Sequence, residues 1–210
     1  MNSKIPADRF LDAFRKQWKK EDQNRIKESF CSNTDWTEFM LGNGNLEENA
    51  FLYRVSERLS LDINREWYTL DCVYYKKESN QINGHDTYPA CLDIIIEHEN
   101  CDHVQYEIYK LMLFRSPLKV LIFYDWNEYE KERSEKRRNW LSDKLSGLLK
   151  MGSEFGARWP EAADTEYLFL VGNRLKEGEL PHWRHMTVKS RDFERLSQMC
   201  PSEYLYRLWI

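Results

Sequence analysis

The sequence predicts an α/β fold with a mixed central sheet flanked by helices, and three observations carry that expectation. Stretches with apolar residues at helical spacing alternate with short β-branched and aromatic runs. The run at 92–96 is followed by a helical pattern and then by LKVLIFY at 118–124, the order of a strand, a crossover helix and a parallel strand. An earlier run, 66–77, reaches 92–96 through a polar loop with an Asn83-Gly84 turn signal, which predicts an antiparallel pair. Parallel and antiparallel partners together make the sheet mixed.

Taken in order, residues 7–20 read as an amphipathic helix, with Phe10, Leu11, Phe14 and Trp18 on its apolar side. Arg9, Arg15, Lys16, Lys19 and Lys20 occupy the other side, for which a solvated outer face is the ordinary explanation. Residues 26–40 are less regular, with Trp36, Phe39 and Met40 as packing residues. LGNGN at 41–45 is turn-like, and Asn45 is a candidate N-cap for a helix over 46–59 that buries Phe51, Leu52, Val55 and Leu59. The boundary divides the chain into an N-terminal helical extension, 1–45, and an α/β domain, 46–210.

Period two begins in REWYTLDCVYYKK, where Trp67, Thr69, Asp71, Val73 and Tyr75 fall on one side of a single strand. Asp102 is a candidate cap for a helix through Val104, Ile108, Leu111, Met112 and Phe114, which Ser116-Pro117 stops. A charged helix at 128–150 carries Trp140, Leu141, Leu145, Leu148 and Leu149 as its buried stripe. A strand at 167–171 with turn residues Gly172, Asn173 and Gly178, a short strand near 183–188 and a helix near 192–200 complete the chain.

The totals narrow the function classes. A chain of 210 residues with 41% hydrophobic content can bury a core, and wholesale disorder is excluded. A net charge of -4 gives no bulk attraction to nucleic acid, so such a partner needs a local basic face or metal ions. Cys31, Cys72, Cys91, Cys101 and Cys200 are odd in number and form no CxxC pair, which points to reduced thiols and a cytoplasmic protein. No signal-peptide core and no membrane-length apolar window is present, and a soluble chain without a membrane partner is expected.

Chemistry concentrates at IIIEHEN. Glu97 and Glu99 share one side of a strand and His98 takes the other. Two acids on one face repel unless a cation or a shared proton relieves them. Asp71, an acid inside the preceding strand pattern, also needs a partner. Three converging carboxylates form a hard-oxygen site suited to Mg2+ or Mn2+, which could activate water for attack on a phosphodiester. The competing explanation is a structural network in which these acids pair with Arg or Lys. His98, Cys101 and His103, with Cys91 as a fourth donor, make a poor zinc set, and His182 and His185 read as surface histidines. Nucleotide-driven, serine-hydrolase and zinc-protease classes lose their support, because no glycine-rich phosphate loop, GxSxG elbow or HExxH helix is present.

The succession of a helix, Asp71 on a strand, Ile96-Glu97-His98-Glu99, a helix and a hydrophobic strand resembles the core of the PD-(D/E)xK nuclease superfamily over residues 46–124. The resemblance implies a restriction-endonuclease-like αβββαβ core and a metal-dependent nuclease, with DNA favoured over RNA. It makes Asp71 and Glu97 metal ligands, with Glu99 where the family usually carries lysine and Glu57, or Glu48, as an outer acid from the preceding helix. Gln105 and Tyr109 match a QxxxY helix motif of the RecB-type branch, and Lys110 is placed to replace the missing strand lysine. Lys136, Arg137 and Arg138, with the basic side of the first helix, become candidates for phosphate contact, although a solvated helix laced by ion pairs with Glu130, Glu132 and Glu135 is the plainer explanation. Cutting both strands of a duplex would favour a homodimer. The alternative is a catalytically inactive nuclease-fold protein acting as a binding or regulatory module.

Overall fold

A computed structural model describes residues 5–43, 48–76, 91–100, 103–125, 143, 146–154, 163–173 and 179–198. Its helices are α1 (Ala7–Trp18), α2 (Gln23–Ser29), α3 (Asn33–Leu41), α4 (Phe51–Leu59), α5 (Val104–Leu113), α6 (146–154) and α7 (Phe193–Ser197). Its strands are β1 (Asp62–Trp67), β2 (Leu70–Tyr75), β3 (Ile94–Asn100), β4 (Leu118–Asp125), β5 (Glu166–Asn173) and β6 (His182–Lys189). They form one open sheet in sequence order. The β3-β4 and β4-β5 pairs are parallel, and the other three are antiparallel. The α/β class and the mixed sheet are therefore as the sequence predicts.

Alternation along the central strands sorts the core into two layers. Ile94 and Ile96, Val120 and Ile122, and Leu168 and Leu170 meet the helices α1 to α4 through Phe10, Phe14, Phe51 and Val55. Ile95, Leu121 and Phe169 meet α5, α6 and α7 through Ile108, Leu111, Leu148, Leu149 and Phe193. Strands covered on both faces must be apolar on both, which is why β3, β4 and β5 read as nearly continuous hydrophobic runs. Residues 26–40, irregular in sequence, are two short helices, and Trp36, Phe39 and Met40 are buried as expected. Asp22 and Ser32 cap them by accepting from the backbone N–H of Asn24 and Asp35.

The single strand expected over 66–77 is instead a hairpin. Trp67 pairs with Leu70 across a two-residue turn at Tyr68 and Thr69, and Glu66 and Tyr68 take φ of 48° and 57°. The turn was hidden because neither residue is the glycine or asparagine that left-handed backbone favours. Thr69 accordingly lies exposed in the turn, while Trp67, Val73 and Tyr75 share the core layer of α5. Strand β3 carries Glu97 and Glu99 on to Asn100, beyond the apolar run at 92–96. At the other edge Gly172 and Asn173 belong to β5 and are not a turn. A Cβ at Gly172 would meet the Trp183 ring at 2.9 Å, so the glycine serves the close approach of its cross-strand partner. His103, with no side-chain bond, occupies the N-cap of α5. The caps expected at Asn45 and Asp102, the loop at 78–89, Trp140, Leu141, Leu145, Gly178 and Lys136, Arg137 and Arg138 fall outside the described residues. No described helix is long and apolar enough to cross a membrane.

Candidate metal centre

Asp71 on β2 and Glu97 on β3 project to the sheet face that α5 covers. The β2-β3 ladder runs from Tyr74–Ile94 to Cys72–Ile96. Just beyond it, the backbone N–H of His98 donates to Asp71 Oδ2 at 2.8 Å. A strand N–H that has left the ladder must find an acceptor, and the Asp71 carboxylate supplies it. One such bond leaves most of a carboxylate's acceptor capacity open.

Helix α5 closes the site. Its apolar stripe, Val104, Ile108, Leu111 and Met112, lies on the sheet and carries Glu107 inward with it. Ligand oxygens of Asp71, Glu97 and Glu107 all lie within 4.8 Å of one another, a spread that one cation can bridge with metal-oxygen bonds of about 2.0 to 2.6 Å. Glu97 is 0% exposed and its Oε1 has no hydrogen-bond donor among the described residues. Lys110, one turn along α5, donates to Glu97 Oε2 at 3.0 Å and to the Thr69 carbonyl at 3.1 Å, and it also contacts Glu107.

Among the described residues, one ammonium against three carboxyls leaves the cluster short of positive charge. Burial pushes Glu97 up from 4.5 to about 10, reinforced by Asp71 and by the Glu107 carboxyl and opposed by Lys110. Burial alone would lower Lys110, but its contacts with Glu107 and Glu97 prevail and raise it to about 12. The two shifts pull against each other, since a proton on Glu97 removes the charge that holds Lys110. The direction that stands is that the site takes up a proton, or a cation in its place, to offset the buried negative charge. The donor set of carboxylate oxygens suits a hard divalent ion, and Asp71, Glu97 and Glu107 could hold one.

The residues expected from sequence divide clearly. Asp71, Glu97 and Lys110 come together. Glu99 is half-buried one step further along the same strand face, opposite Phe123 of β4, and is not among the gathered carboxylates. Glu57 is exposed on α4, which packs on the opposite sheet face, and is not among them either. Tyr109 is 46% exposed on α5 and Gln105 is half-buried on the same helix. Glu107 is the member of the carboxylate cluster to which sequence reasoning gave no role. Its signal was present, because an acid three residues after Val104 and four before Leu111 sits in the helix's apolar stripe.

His98 belongs to the other face, where its ring lies 5.2 Å from that of Tyr124 and 6.5 Å from that of Trp36. Burial lowers it to about 4, so it is neutral at physiological pH. With Cys91 and His103 both exposed, His98, Cys91 and His103 do not assemble as a zinc set among the described residues. Among known proteins, no family model matches the chain and no curated protein matches it at a significant level.

Proposed function

We propose that the chain is a metal-dependent nuclease that hydrolyses phosphodiester bonds in nucleic acid, DNA before RNA. The carrying observation is the under-neutralised cluster of Asp71, Glu97 and Glu107 with Lys110 on its rim. The succession α4, β1, β2, β3, α5, β4 supports the reading, since it follows the αβββαβ order of the restriction-endonuclease-like core with both sheet acids on consecutive strands. Mg2+ or Mn2+ would be held by Asp71, Glu97 and Glu107, and when bound it would supply Lewis-acid stabilisation of the phosphoryl oxygens.

The chain's own residues perform the remaining tasks. Asp71 ties the β2 and β3 backbones together, so the spacing of its carboxyl from Glu97 is set by the sheet. Lys110 stays charged at neutral pH, which suits it to attract and orient a phosphate and not to take a proton from water. Glu99, at the position of the usual lysine, is left to accept the proton of the attacking water. Tyr68 and Tyr106, 71% and 63% exposed beside Thr69 and Glu107, offer ring surface for bases.

Lys110 already bonds Glu97 and contacts Glu107, and that observation favours the second reading, an inactive nuclease-fold module in which lysine is the permanent counterion. Incubation with plasmid, linear and single-stranded DNA and RNA, in Mg2+, Mn2+ or chelator, separates the two. Metal-dependent cutting that vanishes in Asp71→Asn, which keeps an acceptor for His98, and in Glu97→Gln supports the enzyme. No cutting of any substrate, together with calorimetry that detects no metal binding, would sink it.

A further inference from the structure

A second site lies on the other sheet face, where α1 crosses the β6 edge. A cavity of about 200 Å³ opens there between one face of α1 and residues 181–185. Arg15, Lys19, His182, Arg184 and His185 line it, and among the described residues no carboxylate does, with Asp8 the acid near enough to act on His185. That composition is unusual in a chain of net charge -4. Arg15 and Lys19, one helical turn apart on the same face of α1, give the cavity a cationic rim that favours an anion.

The cavity is also aromatic. Trp18 and Trp183, both half-buried, meet edge to face at 5.4 Å, and Phe14 braces Trp183 at 5.0 Å. Gly172 lets Trp183 lie close over its own strand partner, which fixes the indole at this edge. Arg15 Nη2 stands 3.3 Å from His185 Nδ1. A guanidinium can only donate, so Nδ1 accepts and Nε2 carries the proton. Burial, then Arg15, lowers His185 against an opposing pull from Asp8, which agrees with a neutral ring in that tautomer. The contact steadies Arg15 and leaves its other N–H groups for a ligand.

We propose that this cavity binds a nucleotide, with the base against the Trp18 and Trp183 indoles and the phosphate held by Arg15 and Lys19. Flat apolar walls with a cationic rim match an aromatic ring that carries a phosphate better than they match a bare anion. The source is either a free nucleotide or one residue of a strand. Its register row, His98–Ile122–Leu170–His185, is one residue on from the row of Glu97, so both sites lie toward the same end of the sheet. The proposal does not rest on the nuclease reading.

Binding is measured by calorimetry on the full chain in chelator, which removes any metal-bridged contribution from the acid cluster. The probes are nucleoside monophosphates, short single-stranded oligonucleotides, unphosphorylated nucleosides and inorganic phosphate. Nucleosides and phosphate should each bind at least about tenfold more weakly than the intact nucleotide, since each keeps half the contacts. Arg15 and Lys19 are exposed, so the double variant Arg15→Glu, Lys19→Glu should keep its melting temperature and lose at least about tenfold in affinity. Binding of monophosphates supports a free-nucleotide site, whereas binding of oligonucleotides alone supports a strand. The proposal is overturned if neither binds, if the double variant binds as well as the parent, or if inorganic phosphate binds as tightly as the nucleotide.

Discussion

Glu21 and Glu97 are both buried carboxylates, and their surroundings differ in kind. Arg54 Nη1 reaches both oxygens of Glu21 at 3.1 and 3.2 Å, Gln17 donates to one at 2.6 Å, and Arg58 in turn bonds Gln17 at 2.7 Å. One acid is thus surrounded by donors from α1 and α4, and the network fastens the N-terminal helices to the sheet's covering helix. At Glu97 the proportion is inverted, with three acids sharing one lysine and an oxygen of Glu97 left without a donor among the described residues. A satisfied buried charge explains itself structurally, while an under-satisfied one asks for a proton or a ligand.

The largest effect expected from this contrast is on activity. Glu97→Gln should lower metal-dependent cleavage by about a thousandfold, a loss of about 4 kcal/mol of transition-state stabilisation, in single-turnover assays. Glu21→Gln, remote from the acid cluster, should leave the cleavage rate alone and lower stability, and equal loss of activity in both variants would erase the distinction. Next in size is Arg54→Ala, which leaves Glu21 with the Gln17 donor and Arg25 at 3.9 Å and should cost about 1 to 3 kcal/mol in chemical denaturation. Lys110→Met should cost less, because the acid cluster can take up a proton in place of the lost ammonium.

Smaller, and opposite in sign to the Arg54 effect, is the response of metal-free protein to Glu97→Gln. In the folded chain the cluster around Glu97, whose carboxyl is pushed up to about 10, holds a proton that the unfolded carboxyl gives up near 4.5. Between those values the unfolded state binds fewer protons, so rising pH favours unfolding, and below 4.5 the penalty disappears. The amide avoids it, and the variant should gain about 1 to 2 kcal/mol at neutral pH, seen as a melting temperature higher by about 2 to 8 °C. A variant that melts lower, with no change in pH slope, would show that Glu97 is already ionised and satisfied. The smallest signal is the proton that metal should displace. Calorimetry in buffers of different ionisation enthalpy should register release of about one proton per ion, with affinity rising between pH 6 and 8.

How much of this was legible in the chain depended on how local the cause was. The order of elements and the alternating faces of β3, β4 and β5 follow from side-chain period, which tertiary contacts cannot alter without exposing the core. The pair Asp71 and Glu97 was legible for the same reason, since acids inside apolar strand patterns advertise an unmet cost. The Tyr68-Thr69 turn was not, because its residues lack turn chemistry and the hairpin is held by pairing of β1 with β2. Glu107 was readable only by asking which face of α5 would be buried, a question the sequence poses without answering.

By itself, then, the sequence determined an α/β chain with a mixed sheet and a concentration of acid chemistry at Asp71 and IIIEHEN, because burial and charge cost act residue by residue. Tertiary structure alone decided which acids meet. Sheet register and helix docking brought Glu107 and Lys110 onto Asp71 and Glu97, left Glu99 one step outside, and put Glu57 on the far face. It likewise folded α1 against β6 so that a solvated basic face and two surface histidines, 170 residues apart for Arg15 and His185, became walls of one cavity. Distances between remote residues are set by packing of whole layers, and no local pattern carries that information.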